Sequence, residues 1–179
     1  MESISATQLI RNDHKVIKGL AIQIQTSEVR APEMRTAVIL EFFMQLEVHI
    51  QFKEELFYPE LENYPETAAL VVVSIEDQNQ MKQLIKNLRR IDPAAEEFDD
   101  TLQELISSVY FNIETEEQSL LPMAEKLLGS KLEELGTRML ARKEELMKRP
   151  EYKDAQPDRV QNPNGGEQMR RPKVGEQNL

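Results

Sequence analysis

Apolar residues recur at helical spacing in four long stretches of this chain. The first stripe holds Leu9, Ile10, Ile17, Leu20, Ala21 and Ile24. It opens on Ser5-Ala6-Thr7-Gln8, the form of a capping box, and ends near Thr26-Ser27. The second begins at Pro32, a residue suited to a first helical turn, and runs through Ile39, Phe42, Phe43, Leu46, Ile50, Leu56 and Phe57. Pro59 and Asn63-Tyr64-Pro65 bring it to a stop. A third helix is predicted from Pro65 to Ile91, with Val71, Ile75, Met81, Ile85 and Leu88 inward and the run Val71-Val72-Val73 as buried helix. Asp92-Pro93 predicts the start of a fourth, whose stripe is Phe98, Leu102, Leu105, Val109, Ile113, Leu120 and Met123 and whose stop is Gly129. A shorter fifth helix carries Leu132, Leu135, Met139 and Leu146 and ends at Pro150. No alternating strand pattern competes with these periods.

Six polar residues interrupt the four stripes: His14, His49, Lys53, Gln78, Asn112 and Glu116. Their order is regular. His14 to His49 is 35 residues and Gln78 to Asn112 is 34, so helices one and two read as a weak duplicate of helices three and four. Each hairpin offers one polar residue on its first helix and an i, i+4 pair on its second, and residues four apart share a helix face. Two such hairpins predict an up-down four-helix bundle with all six residues at one level of its core. That is the geometry of a two-metal site, which takes imidazole and carboxylate ligands. Here only His14, His49 and Glu116 are good ligands. Gln78 and Asn112 bind weakly through oxygen, and Lys53 is cationic. Glu54 and Glu117 stand about 100° round the helix from their neighbours in the site and read as solvated.

A lysine inside an apolar stripe is costly unless paired. The pattern therefore predicts that the Lys53 ammonium takes over a metal's charge and pairs with Glu116 across the core. Gln78 and Asn112 are then expected to supply donors and acceptors between the two histidines.

Composition narrows the alternatives. The chain has 179 residues, enough for one domain with a substantial core, and a formal charge of −10. That charge argues against nucleic-acid or anionic-membrane surfaces as partners. No apolar run is long enough for a membrane span, and the N-terminus does not read as a secretory signal, so the expected compartment is cytoplasmic. The absence of cysteine excludes disulfides, thiolate ligands and cysteine nucleophiles. Residues 1–149 read as the bundle and 150–179 as a flexible tail rich in Pro, Gly, Asn and Gln; from Glu151 onward it holds five acidic and five basic residues. The acidic excess therefore belongs to the helices.

The polar frame resembles the hemerythrin-like proteins with their HHE cation-binding domain, over roughly residues 5 to 130. Asn12-Asp13-His14 is similar to the family's first element, and His49-Ile50-Gln51-Phe52-Lys53-Glu54, running on to Pro59, to its His-x-x-x-Glu second element with Lys53 in place of Glu. Glu76-Asp77-Gln78 stands for the third element with Gln for His, and Asn112-Ile113-Glu114-Thr115-Glu116-Glu117, running on to Pro122, for the fourth with Asn for His. The resemblance implies an all-α, hemerythrin-like bundle, and a di-iron centre that carries oxygen or senses oxygen, nitric oxide or iron. With three of the six positions changed, the expected function is a cytoplasmic, non-catalytic binding or regulatory module with a degenerate dimetal site and no cofactor. The alternative is a protein that still binds iron or another divalent metal for sensing or storage. No nucleophile constellation or phosphate loop suggests an enzyme. A protein partner and the oligomeric state are left open by the residues.

Overall fold

In a computed structural model of the chain, residues 4–26 and 32–155 are described, with side chains through Tyr152. Helix α1 (Ala6–Gln25) starts where the Ser5 hydroxyl accepts the Gln8 backbone N–H at 3.2 Å, satisfying one of the free donors of the first turn. The expected tail beyond residue 155 and the connection at Ser27 lie outside the described residues.

The second and fourth stripes are not uninterrupted α-helices. Helix α2 (Pro32–Phe52) passes into a π turn, Lys53–Phe57, and on into α3 (Tyr58–Leu61). Helix α5 (Glu96–Thr115) passes into a second π turn, Glu116–Leu120, and on into α6 (Leu121–Leu128). In each, the backbone N–H five residues on closes the turn, Tyr58 onto Lys53 and Leu121 onto Glu116. Proline follows at once, at Pro59 and Pro122. It has no N–H for the i−4 carbonyl and its ring crowds that carbonyl, so the ladder widens just before it. The chain thus continues through Pro59 and stops only after Leu61.

Helix α4 (Pro65–Leu88) ends three residues earlier than the period predicts, and α5 opens at Glu96 rather than at Asp92-Pro93. The Asp92 side chain accepts the Ala94 N–H and its carbonyl accepts the Ala95 N–H, both at 2.9 Å. These bonds make a tight turn out of the expected first helical turn. Only Val71 of the valine run faces inward; Val72 and Val73 are 55% and 44% exposed.

The four antiparallel bundle rods bury two apolar clusters, one above the other. One cluster gathers Leu9 and Ile10 of α1 with Phe52, Phe57 and Tyr58, Val71 of α4 and Leu120 to Leu128. The other gathers Ile17 to Ile24, Ile39 to Leu46, Met81 to Leu88 and Phe98 to Val109. Between them lies the layer of buried polar residues: Asp13, His14, His49, Lys53, Ser74, Gln78, Asn112 and Glu116. Helix α7 (Lys131–Met147) packs across α1 and α2, and a 3-10 turn, Pro150–Ala155, follows it. Tyr152 is buried in the first cluster, so the first residues of the expected tail are held against the bundle. Among the described residues no helix is long and apolar enough to cross a membrane.

Gly136 lets α7 lie directly on the strand of chain entering α1: a Cβ there would sit 2.1 Å from the Ile4 carbonyl oxygen and 2.7 Å from the Ala6 nitrogen. Both obstacles are backbone and cannot swing aside. Gly136→Ala should therefore lower stability by about 1–3 kcal/mol, read as a lower midpoint in thermal or urea unfolding. Gly19, in mid-α1, has nothing within 4 Å of its missing Cβ. Gly19→Ala should leave stability unchanged or raise it by up to about 1 kcal/mol.

Candidate metal site

Four rods deliver the polar layer. Helix α1 brings Asp13 and His14, α2 and its π turn bring His49 and Lys53, α4 brings Gln78, and α5 with its π turn brings Asn112, Glu116 and Glu117. Tyr58 and Lys143, which the periodicity does not single out, join from α3 and α7.

Lys53 and Glu116 form the centre. Both side chains are fully buried, and Nζ donates to the two carboxylate oxygens at 2.9 and 2.8 Å. The Tyr58 hydroxyl donates to Glu116 Oε1 at 2.6 Å, and Gln78 Nε2 donates to the Tyr58 oxygen. Burial pushes the Glu116 carboxyl up, but the Lys53 charge and His14 outweigh it and hold it well below the usual carboxylate range. Burial pulls Lys53 below an ordinary lysine, and Glu116 opposes that pull. Burial and the nearby Glu116 charge drive Tyr58 well above an ordinary phenol, which keeps it the donor.

The two histidines stand beside this pair, their ring centres 5.1 Å apart. His14 Nδ1 is 2.9 Å from Glu117 Oε1, and His49 Nδ1 is 3.3 Å from Asp13 Oδ2, while Lys143 Nζ donates to the other oxygen, Asp13 Oδ1. A carboxylate only accepts, so the network assigns the ring hydrogen to Nδ1 in both. Neither Nε2 makes a hydrogen bond; the His49 Nε2 then presents a lone pair, while the His14 Nε2 faces Glu116 Oε2 at 3.3 Å. Burial and the Lys53 charge push His49 down to about 3, so it is neutral at ordinary pH. For Asp13 burial acts upward, but the His49 hydrogen bond and the Lys143 charge hold the carboxyl below its ordinary value.

Two sequence expectations need correction. Gln78 and Asn112 do not bridge the histidines: Gln78 donates to Tyr58, and Asn112 Nδ2 has no partner. Glu117 is not simply solvated. It flanks Glu116, and the two long carboxylates reach opposite nitrogens of one imidazole, Glu116 Oε2 lying 3.3 Å from His14 Nε2. Tyr58 goes unnoticed in the period because an α-helix would carry it past Lys53, whereas the π turn stacks residue i+5 on residue i.

The donor set can be tested against one metal ion and against two. His14, His49 and Glu116 each offer a ligand atom within 4.8 Å of the others. Two imidazoles and a carboxylate with open positions suit a divalent first-row metal. Each imidazole is backed by a carboxylate at Nδ1, as metal-binding histidines commonly are. The residues therefore fit one ion. They do not fit a second, whose side of the layer holds an ammonium and two amides.

Two outcomes follow for the metal-free protein. Lys53→Met strands the buried Glu116 charge and should cost about 3–5 kcal/mol in urea unfolding, most of it recovered in Lys53→Met/Glu116→Leu. An unchanged midpoint for the single variant contradicts the pairing. His49 has a folded-state value near 3 against 6.5 for the unfolded chain, so the unfolded state binds the extra proton between those values. Its contribution is complete above pH 6.5 and is lost as pH falls toward 3, at about 1.4 kcal/mol per pH unit in mid-window. His49→Gln should remove that component from the pH profile; an identical slope in parent and variant would disprove it.

Comparison with known proteins bears on the fold and the family. The family pattern for the hemerythrin HHE cation binding domain matches residues 5–124. A DNA nickase of Nostoc sp. (strain PCC 7120) is 25% identical over 152 residues, which are 83% of this chain and 42% of that protein. The chain thus spans less than half the length of that relative. The uncharacterized protein Rv2633c of Mycobacterium tuberculosis is 23% identical over 151 residues, 83% of this chain and 91% of that one. The crystal structure of an HHE cation binding domain-containing protein, the Rv2633c homolog from Mycobacterium kansasii, superposes with a TM-score of 0.69 at 26% identity, covering 80% of this chain and 87% of its own. The match takes in all four rods and every residue of the polar layer except Lys143, and the chain belongs to the hemerythrin HHE cation-binding domain family.

Proposed function

We propose that this is a hemerythrin-like domain whose dimetal centre has been reduced to a one-metal site, the Lys53 ammonium standing in for the second cation. It serves as a non-catalytic binding or regulatory module. The observation that carries the reading is the convergence of ligand atoms from His14, His49 and Glu116 within 4.8 Å of one another, with no hydrogen bond at either Nε2 and each imidazole backed at Nδ1, by Glu117 and Asp13. Leaving the buried His49 Nε2 without a donor, and holding His14 Nε2 beside a carboxylate oxygen with no hydrogen bond between them, costs free energy unless a cation uses these atoms. His14, His49 and Glu116 would hold that ion, which would supply a Lewis-acidic centre with open positions for a small ligand. Asp13 and Glu117 orient the imidazoles, and Lys53, Tyr58 and Gln78 fix the carboxylate.

A second reading has its own support. Lys53 and Tyr58 already saturate Glu116 with three hydrogen bonds, which favours a metal-free module in which the ion pair is the whole of the centre. Nickase activity is not carried over from the Nostoc relative: the match covers 42% of that protein. A chain of −10 charge also opposes a phosphate backbone.

Titration of the chelator-treated chain with Fe²⁺ under anaerobic conditions, and with Co²⁺, separates the readings. Elemental analysis should return one ion per chain, and His14→Ala and His49→Ala should each weaken binding by at least about 100-fold, the loss of one good ligand. Two ions per chain would refute the proposal, and none would leave the metal-free module.

A further inference from the structure

Among the described residues, the charged side chains around the histidine pair are sealed from solvent except one. His14, Lys53 and Glu116 are fully buried, His49 and Asp13 are 4% and 6% exposed, and Glu117 is 33% exposed. Glu117 spans the wall of the bundle: its Oε1 grips His14 Nδ1 inside, and its outer surface forms part of a depression of about 260 Å³ lined by Lys18, Tyr110, Ile113, Glu114, Glu117 and Gln118. The same ring carries its Nε2 behind that grip, without a hydrogen bond and 3.3 Å from Glu116 Oε2. Across the mouth, Lys18 Nζ stands 3.9 Å from Glu117 Oε1, close enough to attract the carboxylate but beyond a hydrogen bond. Glu114 adds a second carboxylate to the rim and receives the Gln118 amide at 3.0 Å.

We infer that this depression is the port through which a divalent cation reaches the buried site, with Glu114 and Glu117 drawing the ion in and Lys18 opposing its entry. The inference rests on the one-metal reading above and extends it to how the site is filled. Among the described residues in polar contact with the two imidazoles, Glu117 is the most exposed, and its displacement together with a turn of the His14 ring would carry an ion from the depression to Nε2 without unpacking a helix. A rim of two carboxylates concentrates cations at the mouth, and an ammonium there raises the barrier. Salt should weaken both effects, because the rim groups are exposed.

The test is stopped-flow loading of the full chain with Co²⁺, followed by the absorbance of the bound ion, alongside equilibrium titration. Lys18→Glu should speed loading about tenfold at low ionic strength, and Glu114→Lys should slow it by a similar factor. Both variants should keep one ion per chain, and both differences should shrink in high salt. Glu96→Lys, a charge reversal on the first turn of α5, should load at the parent's rate. A purely structural role for Lys18 and Glu114 would not move the two rates in opposite directions. Equal rates for Lys18→Glu, Glu114→Lys and the parent, with one ion still bound, overturn the port and leave the one-metal site standing. Failure of the parent to bind any Co²⁺ at equilibrium overturns both.

Discussion

A fully buried ammonium and carboxylate, joined by two hydrogen bonds at the middle of a helical bundle, set the terms for everything around them. Neither charge is tolerable alone in an apolar core, and as a pair they repay their desolvation only where the remaining lone pairs and protons are also used. The rods accordingly converge more donors on Glu116, with Tyr58 supplying one and Gln78 fixing Tyr58 in turn. The two apolar clusters are what isolates this layer from water. They raise the cost of a misplaced polar group and the strength of each correct bond together.

The backbone that achieves this is irregular at two corresponding places. Lys53 and Glu116 each open a π turn just ahead of a proline, 63 residues apart, so the duplicated hairpins repeat a backbone fault as well as a residue spacing. Such turns cost helix stability and are characteristic of sites where side chains must be re-aimed. In the first hairpin the turn brings Tyr58 into the layer. In the second it opens on Glu116 and Glu117, which take the two nitrogens of His14. Each imidazole is held at Nδ1 by a carboxylate, and each keeps a buried Nε2 that makes no hydrogen bond.

Much of the architecture was legible in the residues because periodicity reports directly on burial. The four rods, their antiparallel order and the level of the polar layer all follow from where His14, His49, Lys53, Gln78, Asn112 and Glu116 break an apolar stripe. What the period could not carry were contacts that depend on local departures from it or on distant elements. Tyr58 lies five residues past Lys53, a spacing that α-helical counting discards. Asp13 and Glu117 are charged neighbours of site residues and look like solvent-facing groups until the partner imidazole is in place. Lys143 comes from a helix beyond the matched family region, 130 residues from the aspartate it contacts. The turn at Asp92 was misread for the opposite reason: a cap and a proline are strong local signals for a helix start, and a side-chain hydrogen bond two residues on diverted them into a turn.

On the proposed reading, the layer offers one binding position for a cation beside one permanent ammonium. The most direct measurement is anomalous diffraction from crystals grown with Co²⁺ or Fe²⁺ in excess. The account predicts a single peak between His14, His49 and Glu116, with the Lys53 nitrogen still hydrogen-bonded to Glu116 inside the bundle. Two peaks in the layer, or a Lys53 side chain turned out to solvent to make room for a second ion, would contradict it.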